Sequence, residues 1–135
     1  MRRAAVLALE TLHGVRVVAS PATLDATTWH ADITALRLAP DDVFAIGAST
    51  SDAAAIEARD AHAIVVEESG FVGCWLTMGE LAEVATHIEW HLPTERPALA
   101  QGYVAGVPCK LVLTDHGTLL MCAAPYAHDL MERLQ

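Results

Sequence analysis

The sequence predicts an α+β fold: mainly antiparallel sheet with helices packed on one face. Three observations carry that prediction. Apolar runs of four to eight residues recur, most of them alternating with polar or small residues, as half-buried strands do. The runs are separated by Gly, Pro, Asp and Ser clusters too short to hold a crossover helix, which favours hairpins over βαβ units. Only a few segments carry helical spacing, and they fall between hairpins, as expected where helices cover a largely antiparallel sheet.

Taken in order, residues 2–12 are rich in Ala and Leu and form either a short helix or an extended lead-in, so that residues 1–30 serve as an N-terminal lead-in. Val15-Arg16-Val17-Val18 reads as a strand stopped by Ser20-Pro21. Residues 33–38 alternate as a strand, and Ala39-Pro40-Asp41-Asp42 turns the chain, because proline presets the backbone and aspartate favours local hydrogen bonds. Residues 43–47 complete that hairpin. Ser49, Thr50, Ser51 and Asp52 supply N-cap candidates for a helix over 53–59. A strand at 63–68, a turn at Ser69-Gly70 and a partner strand at 71–77 follow, then a helix over 79–87 with Leu81, Val84, Ala85 and Ile88 on one face. Residues 92–97 form a loop with two prolines. Strands at 99–105, 108–114 and 118–123 are joined by the turns Gly106-Val107 and Asp115-His116-Gly117. Pro125 opens a closing helix over 126–134. From residue 63 the order is β-β-α-β-β-β-α. No flexible linker interrupts the chain, which reads as one compact domain over 1–135.

Composition bounds the function. With 135 residues, 53% of them hydrophobic, 19% charged and a mean hydropathy of +0.34, the chain can bury a core and is not disordered. No apolar stretch approaches the ~18–20 residues of a spanning helix. Residues 1–9 resemble a signal peptide in outline, but Glu10 and His13 break the apolar stretch and no cleavage site follows, so the chain reads as cytoplasmic. Seventeen acidic residues against eight basic ones give a net charge of −9, with Lys110 the single lysine, which opposes nucleic-acid binding. Cys74, Cys109 and Cys122 form no CxxC and sit among apolar residues, as buried thiols do.

Searches for a chemical site end without one. His87 and His91 are four apart, which on a helix would place both imidazoles on one face. Ile88, however, stands where a zinc protease needs its glutamate, and no third ligand is placed. His13, His30, His62, His116 and His128 are scattered. Ser49, Ser51 and Ser69 sit in caps or turns without a nucleophile elbow, and Gly70, Gly73 and Gly79 make no phosphate loop. Glu67 and Glu68 point to opposite faces of a strand, as a solvated pair near its end. Trp29, Trp75 and Trp90 read as core packing rather than a ligand pocket. No catalytic, cofactor-binding or metal-ligating residue is assigned.

Several segments carry a resemblance. Residues 64–70 (Ile-Val-Val-Glu-Glu-Ser-Gly) and 71–79, then 97–108 with its Leu-Ala-Gln, then 110–114 and 119–130, resemble the first half of a folate-binding aminomethyltransferase, the fold of the glycine cleavage T-protein. With residues 35–47 added, the chain resembles the gamma subunit family of heterotetrameric sarcosine oxidase over about residues 30 to 134. The resemblance implies ferredoxin-like halves and a non-catalytic small subunit that packs on a large folate-binding subunit. It also implies that FAD, FMN, NAD and tetrahydrofolate are held by partner flavoprotein and folate-binding chains, with none bound by this chain alone. A stand-alone folate-binding one-carbon transfer protein and a homo-oligomeric small-molecule-binding domain remain the alternatives. A subunit role further implies an exposed apolar patch beyond the ~300–600 Å² of typical monomers.

Overall fold

The computed structural model of the chain describes residues 7–135, so the signal-like reading of residues 1–9 falls mostly outside the described residues. The fold is α+β, with antiparallel strands and short helices. Its elements are β1 (Glu10–Val18), α1 (Pro21–Asp25), β2 (Thr34–Ala39), β3 (Asp42–Ile46), a 3-10 turn (Thr50–Ala53) running into α2 (Ala54–Arg59), β4 (Ile64–Leu76), α3 (Met78–Ala85), β5 (Ala98–Val104), β6 (Val107–Thr114), β7 (Gly117–Ala123) and a second 3-10 turn (Ala124–Tyr126) entering α4 (Ala127–Arg133). Two compact units divide the chain: Leu12–Ser69, and Gly70–Gln135 with the described residues up to Thr11.

In the unit Leu12–Ser69 the strands run in the order β2-β3-β1, with the first part of β4 beside β1. The predicted hairpin at Pro40-Asp41 is present: Ala35 faces Ala45 and Leu36 faces Phe44. β1 joins β3 antiparallel, Val15 to Ala45 and Val17 to Val43. Alternation places Val15 and Val17 inward, where they pack with Leu24, Val43, Ala45, Ala53 and Ile56. Ser20 caps α1, its Oγ accepting from Thr23 N at 3.2 Å. Ser49 and Asp52 form a reciprocal capping box ahead of α2. The segment read as a lead-in therefore contributes, over its described part, a strand and a helix, because Val15, Val17 and Leu24 have a core to fill.

In the other unit the order is β4-β7-β6-β5. Registers are regular: Val72 faces Cys122, Leu111 faces Leu120, and Ala100 faces Leu111. Val84 and Leu130, from α3 and α4, pack with Val72, Leu76, Val104, Leu111, Leu113 and Leu120. A Thr77–Glu80 capping box starts α3. The β5–β6 connection is the two-residue turn Ala105-Gly106, with φ of 51° and 79°, the left-handed pair that a tight hairpin requires. It is pinned from outside. Ala105 N donates to His87 O at 3.0 Å, and Arg133 Nη1 donates to Ala105 O at 2.9 Å.

Two sequence expectations are corrected here. Ser69-Gly70 does not turn the chain. β4 runs unbroken through it, so the order from residue 64 is β-α-β-β-β-α. Gly70 is not among the positive-φ glycines, and residues 71–76 pair with β7 rather than folding back on 64–68. Second, α3 ends at Ala85 with Thr86 as its cap, so His87 and His91 lie beyond the helix and share no helical face.

Candidate functional site

The sequence candidates are dispersed. His13, His30, His62, His91, His116 and His128 are exposed and His87 is half-buried. His30 stands 3.4 Å from Asp32, and His128 lies 3.6 Å from Glu132, all on open surface. Among the described residues no three His, Cys, Asp or Glu side chains converge as a metal set. Ser49 Oγ is held by Ser51 at 2.7 Å and by Asp52 at 3.1 Å, which makes it a cap rather than a nucleophile. Together with His13, Glu67, Glu68 and Ser69 it lines a shallow depression of about 310 Å³.

Several groups are held away from their ordinary titration range, each for a structural reason. Asp52 is held below the usual carboxylate range by the backbone and hydroxyl of Ser49, and Asp60 by the amides of Ser20 and His62. Burial pushes the Cys109 thiol up to about 12 and the Cys74 thiol up to about 11, and it raises Cys122 as well. All three are therefore neutral thiols near pH 7, poor nucleophiles that pack as small hydrophobes. The Arg16 pKa is raised, chiefly by its hydrogen bonds to Asp42. Arg16 Nε and Nη2 meet the two Asp42 oxygens at 2.6 and 2.7 Å, a bidentate clamp, while Nη1 reaches Glu68 at 3.2 Å. Glu68 thus serves β1–β4 pairing from the middle of a strand, not from a strand end.

The tryptophans divide. Trp29 packs on the core of its unit. Trp90 packs on the other core, and its Nε1 donates to Tyr103 O at 2.9 Å, closing over Gly102. Trp75, read as core, is 53% exposed.

The concave surface with the most distinctive lining is one that the sequence reading did not single out. A groove of about 360 Å³ crosses β4, β7, β6 and β5, lined by Phe71, Gln101, Tyr103, Pro108, Lys110 and Tyr126. Cross-strand pairing builds it: Gln101 faces Lys110, Tyr103 faces Pro108, and Phe71 faces Ala123. Lys110 Nζ donates to Gln101 Oε1 at 3.0 Å. The signal available in the sequence was the alternation that places Gln101 and Tyr103 on one face of their strand, and the singularity of Lys110.

No family model matches the chain, and no curated protein matches it. Among solved structures it is similar to a chain of the heterotetrameric sarcosine oxidase from Corynebacterium sp. U-96, solved in complex with pyrrole 2-carboxylate. The TM-score is 0.69 at 11% identity, covering 93% of this chain and 79% of that one. At that identity the likeness shows the fold. No described helix is long and apolar enough to cross a membrane.

Proposed function

We infer that the chain is a small, gamma-like, non-catalytic subunit of a heteromeric flavin- and folate-dependent N-methyl amine oxidase or demethylase of the sarcosine oxidase kind. It would stabilise that complex by packing on the large folate-binding subunit. The observation that carries the reading is the fold likeness across 93% of the chain to a chain of a heterotetrameric oxidase. Arg16, Asp52 and Asp60 are occupied in a strand clamp, a cap and a backbone clasp, which agrees with a structural part. FAD, FMN, NAD and tetrahydrofolate belong to the partner chains in this reading. The openness of the groove, where Tyr103 and Tyr126 are 64% and 42% exposed, supports that assignment, since a small-molecule site buries most of its ligand.

The test is co-expression of the tagged chain with the flavoprotein and folate-binding chains encoded beside it, followed by sizing with flavin absorbance recorded. A stoichiometric flavin-containing complex is expected. Recovery of the chain alone at every expression level would remove the subunit reading. A specific micromolar response of the isolated chain to tetrahydrofolate would favour a stand-alone folate-binding protein instead.

A further inference from the structure

The groove differs from the rest of the chain in charge. The sequence holds 17 acidic residues and one lysine, and that lysine stands in the groove while, among the described residues, no carboxylate lines it. Among the described residues Lys110 has no ion-pair partner; its amine donates to Gln101. Around it lie Tyr103, Tyr126, Pro108 and the half-buried Phe71. Among the described residues, exposed aromatic rings about one cation with no lining carboxylate make up the composition of a protein–protein contact centre: large rigid area at low entropic cost, and few charges to desolvate.

The occupant follows from the same features. The aromatic walls are too exposed to enclose a small ligand. A second copy of the chain is disfavoured by symmetry. A two-fold contact sets the groove against itself, and no described carboxylate lines the groove to pair with the Lys110 of the second copy. We propose that this groove face docks a different, larger protein, which presents an apolar surface with a carboxylate opposite Lys110. Resting on the subunit reading above, that protein is the large folate-binding subunit.

Because Lys110 is the only lysine, carbodiimide coupling of a lysine side chain to a carboxylate reports on one position of this chain. In the purified complex, peptide mapping is expected to find Lys110 joined to an Asp or Glu of the large subunit. Lysine acetylation at Lys110 should fall severalfold on assembly. Lys110→Glu should weaken association about tenfold or more while Lys110→Gln weakens it less, as a charge pair requires. Tyr103→Ala provides a second, uncharged variant, and thermal unfolding of each isolated chain checks that folding is kept. A complex that forms with Lys110 as freely acetylated as in the isolated chain overturns the docking face and leaves the subunit reading standing. A Lys110 link to another copy of the chain overturns it in favour of self-association. If no complex forms, both readings fall.

Discussion

Replacing Gly14 with alanine tests the tightest backbone approach in the unit Leu12–Ser69. A Cβ at this position would stand 2.1 Å from Ala45 O, 2.9 Å from Ala45 C and 2.9 Å from Ile46 Cα. All three are backbone atoms, so no rotamer change relieves the overlap, and β1 must part from β3 by about 1 Å to restore ordinary contact. Gly14 pairs with Ile46 and Val15 with Ala45, and Gly47 N donates to His13 O at 2.8 Å. Parting by that amount takes hydrogen bonds out of range. Two weakened bonds at about 1 kcal/mol each, with about 1–3 kcal/mol of overpacking strain, give a loss of roughly 3–5 kcal/mol. That is a large share of the ~5–15 kcal/mol of a typical domain and lowers Tm by roughly 10–20 °C. The assay is urea and thermal unfolding by circular dichroism, with Gly79→Ala as the control. The nearest atom to a Cβ at Gly79 is 4.0 Å away, so that variant should gain up to about 1 kcal/mol from helix propensity. A Gly14→Ala variant within 1 kcal/mol of the parent would refute the β1–β3 register and the reasoning built on it.

Four further outcomes follow from the charged and titratable groups. Arg16→Met leaves Asp42 and Glu68, on the strands either side of β1, without their shared cation; a loss of about 1–2 kcal/mol, shrinking as salt rises, is expected from denaturant midpoints at low and high ionic strength. Asp60 has a depressed pKa, so its contribution is present above the unfolded value near ~3.9 and fades as pH falls through the lower folded value. Asp60→Asn should therefore differ from the parent at pH 7 and converge with it in strong acid. The cysteines run the other way. Their folded pKa values are raised, so unfolded thiols ionise first, and stability should fall as pH climbs from about 9 toward 11–12. A thiol-exchange reagent at pH 7 should react slowly with native chain and quickly in denaturant, and fast native reaction at Cys109 would contradict its burial.

The elements that were legible in the sequence are those whose signals are local. The 39–42 turn, the meander of β5, β6 and β7 and the Ser49 cap depend on residues within a few positions of one another, and sequence spacing reads them directly. Ser69-Gly70 carries the same local signal and was overruled. Gly73 pairs with Met121 and Val72 with Cys122, nearly fifty residues away, and an extended backbone at Gly70 is needed to carry β4 into that ladder. The histidine pair failed for a related reason: a spacing of four has meaning only on a helix, and α3 stops at Ala85. The groove shows the same limit from the other side. Tyr103, Lys110 and Tyr126 are unremarkable along the chain and converge only once β5 is registered on β6. That convergence also sharpens the excess of apolar residues. Two interior clusters absorb residues such as Ile56, Leu111 and Leu120, and they leave Trp75, Tyr103 and Tyr126 in water. Core packing accounts for most of the aliphatic share of the composition. Of the exposed aromatics, Tyr103 and Tyr126 line the groove that holds the one lysine of an otherwise acidic chain, and Trp75 does not.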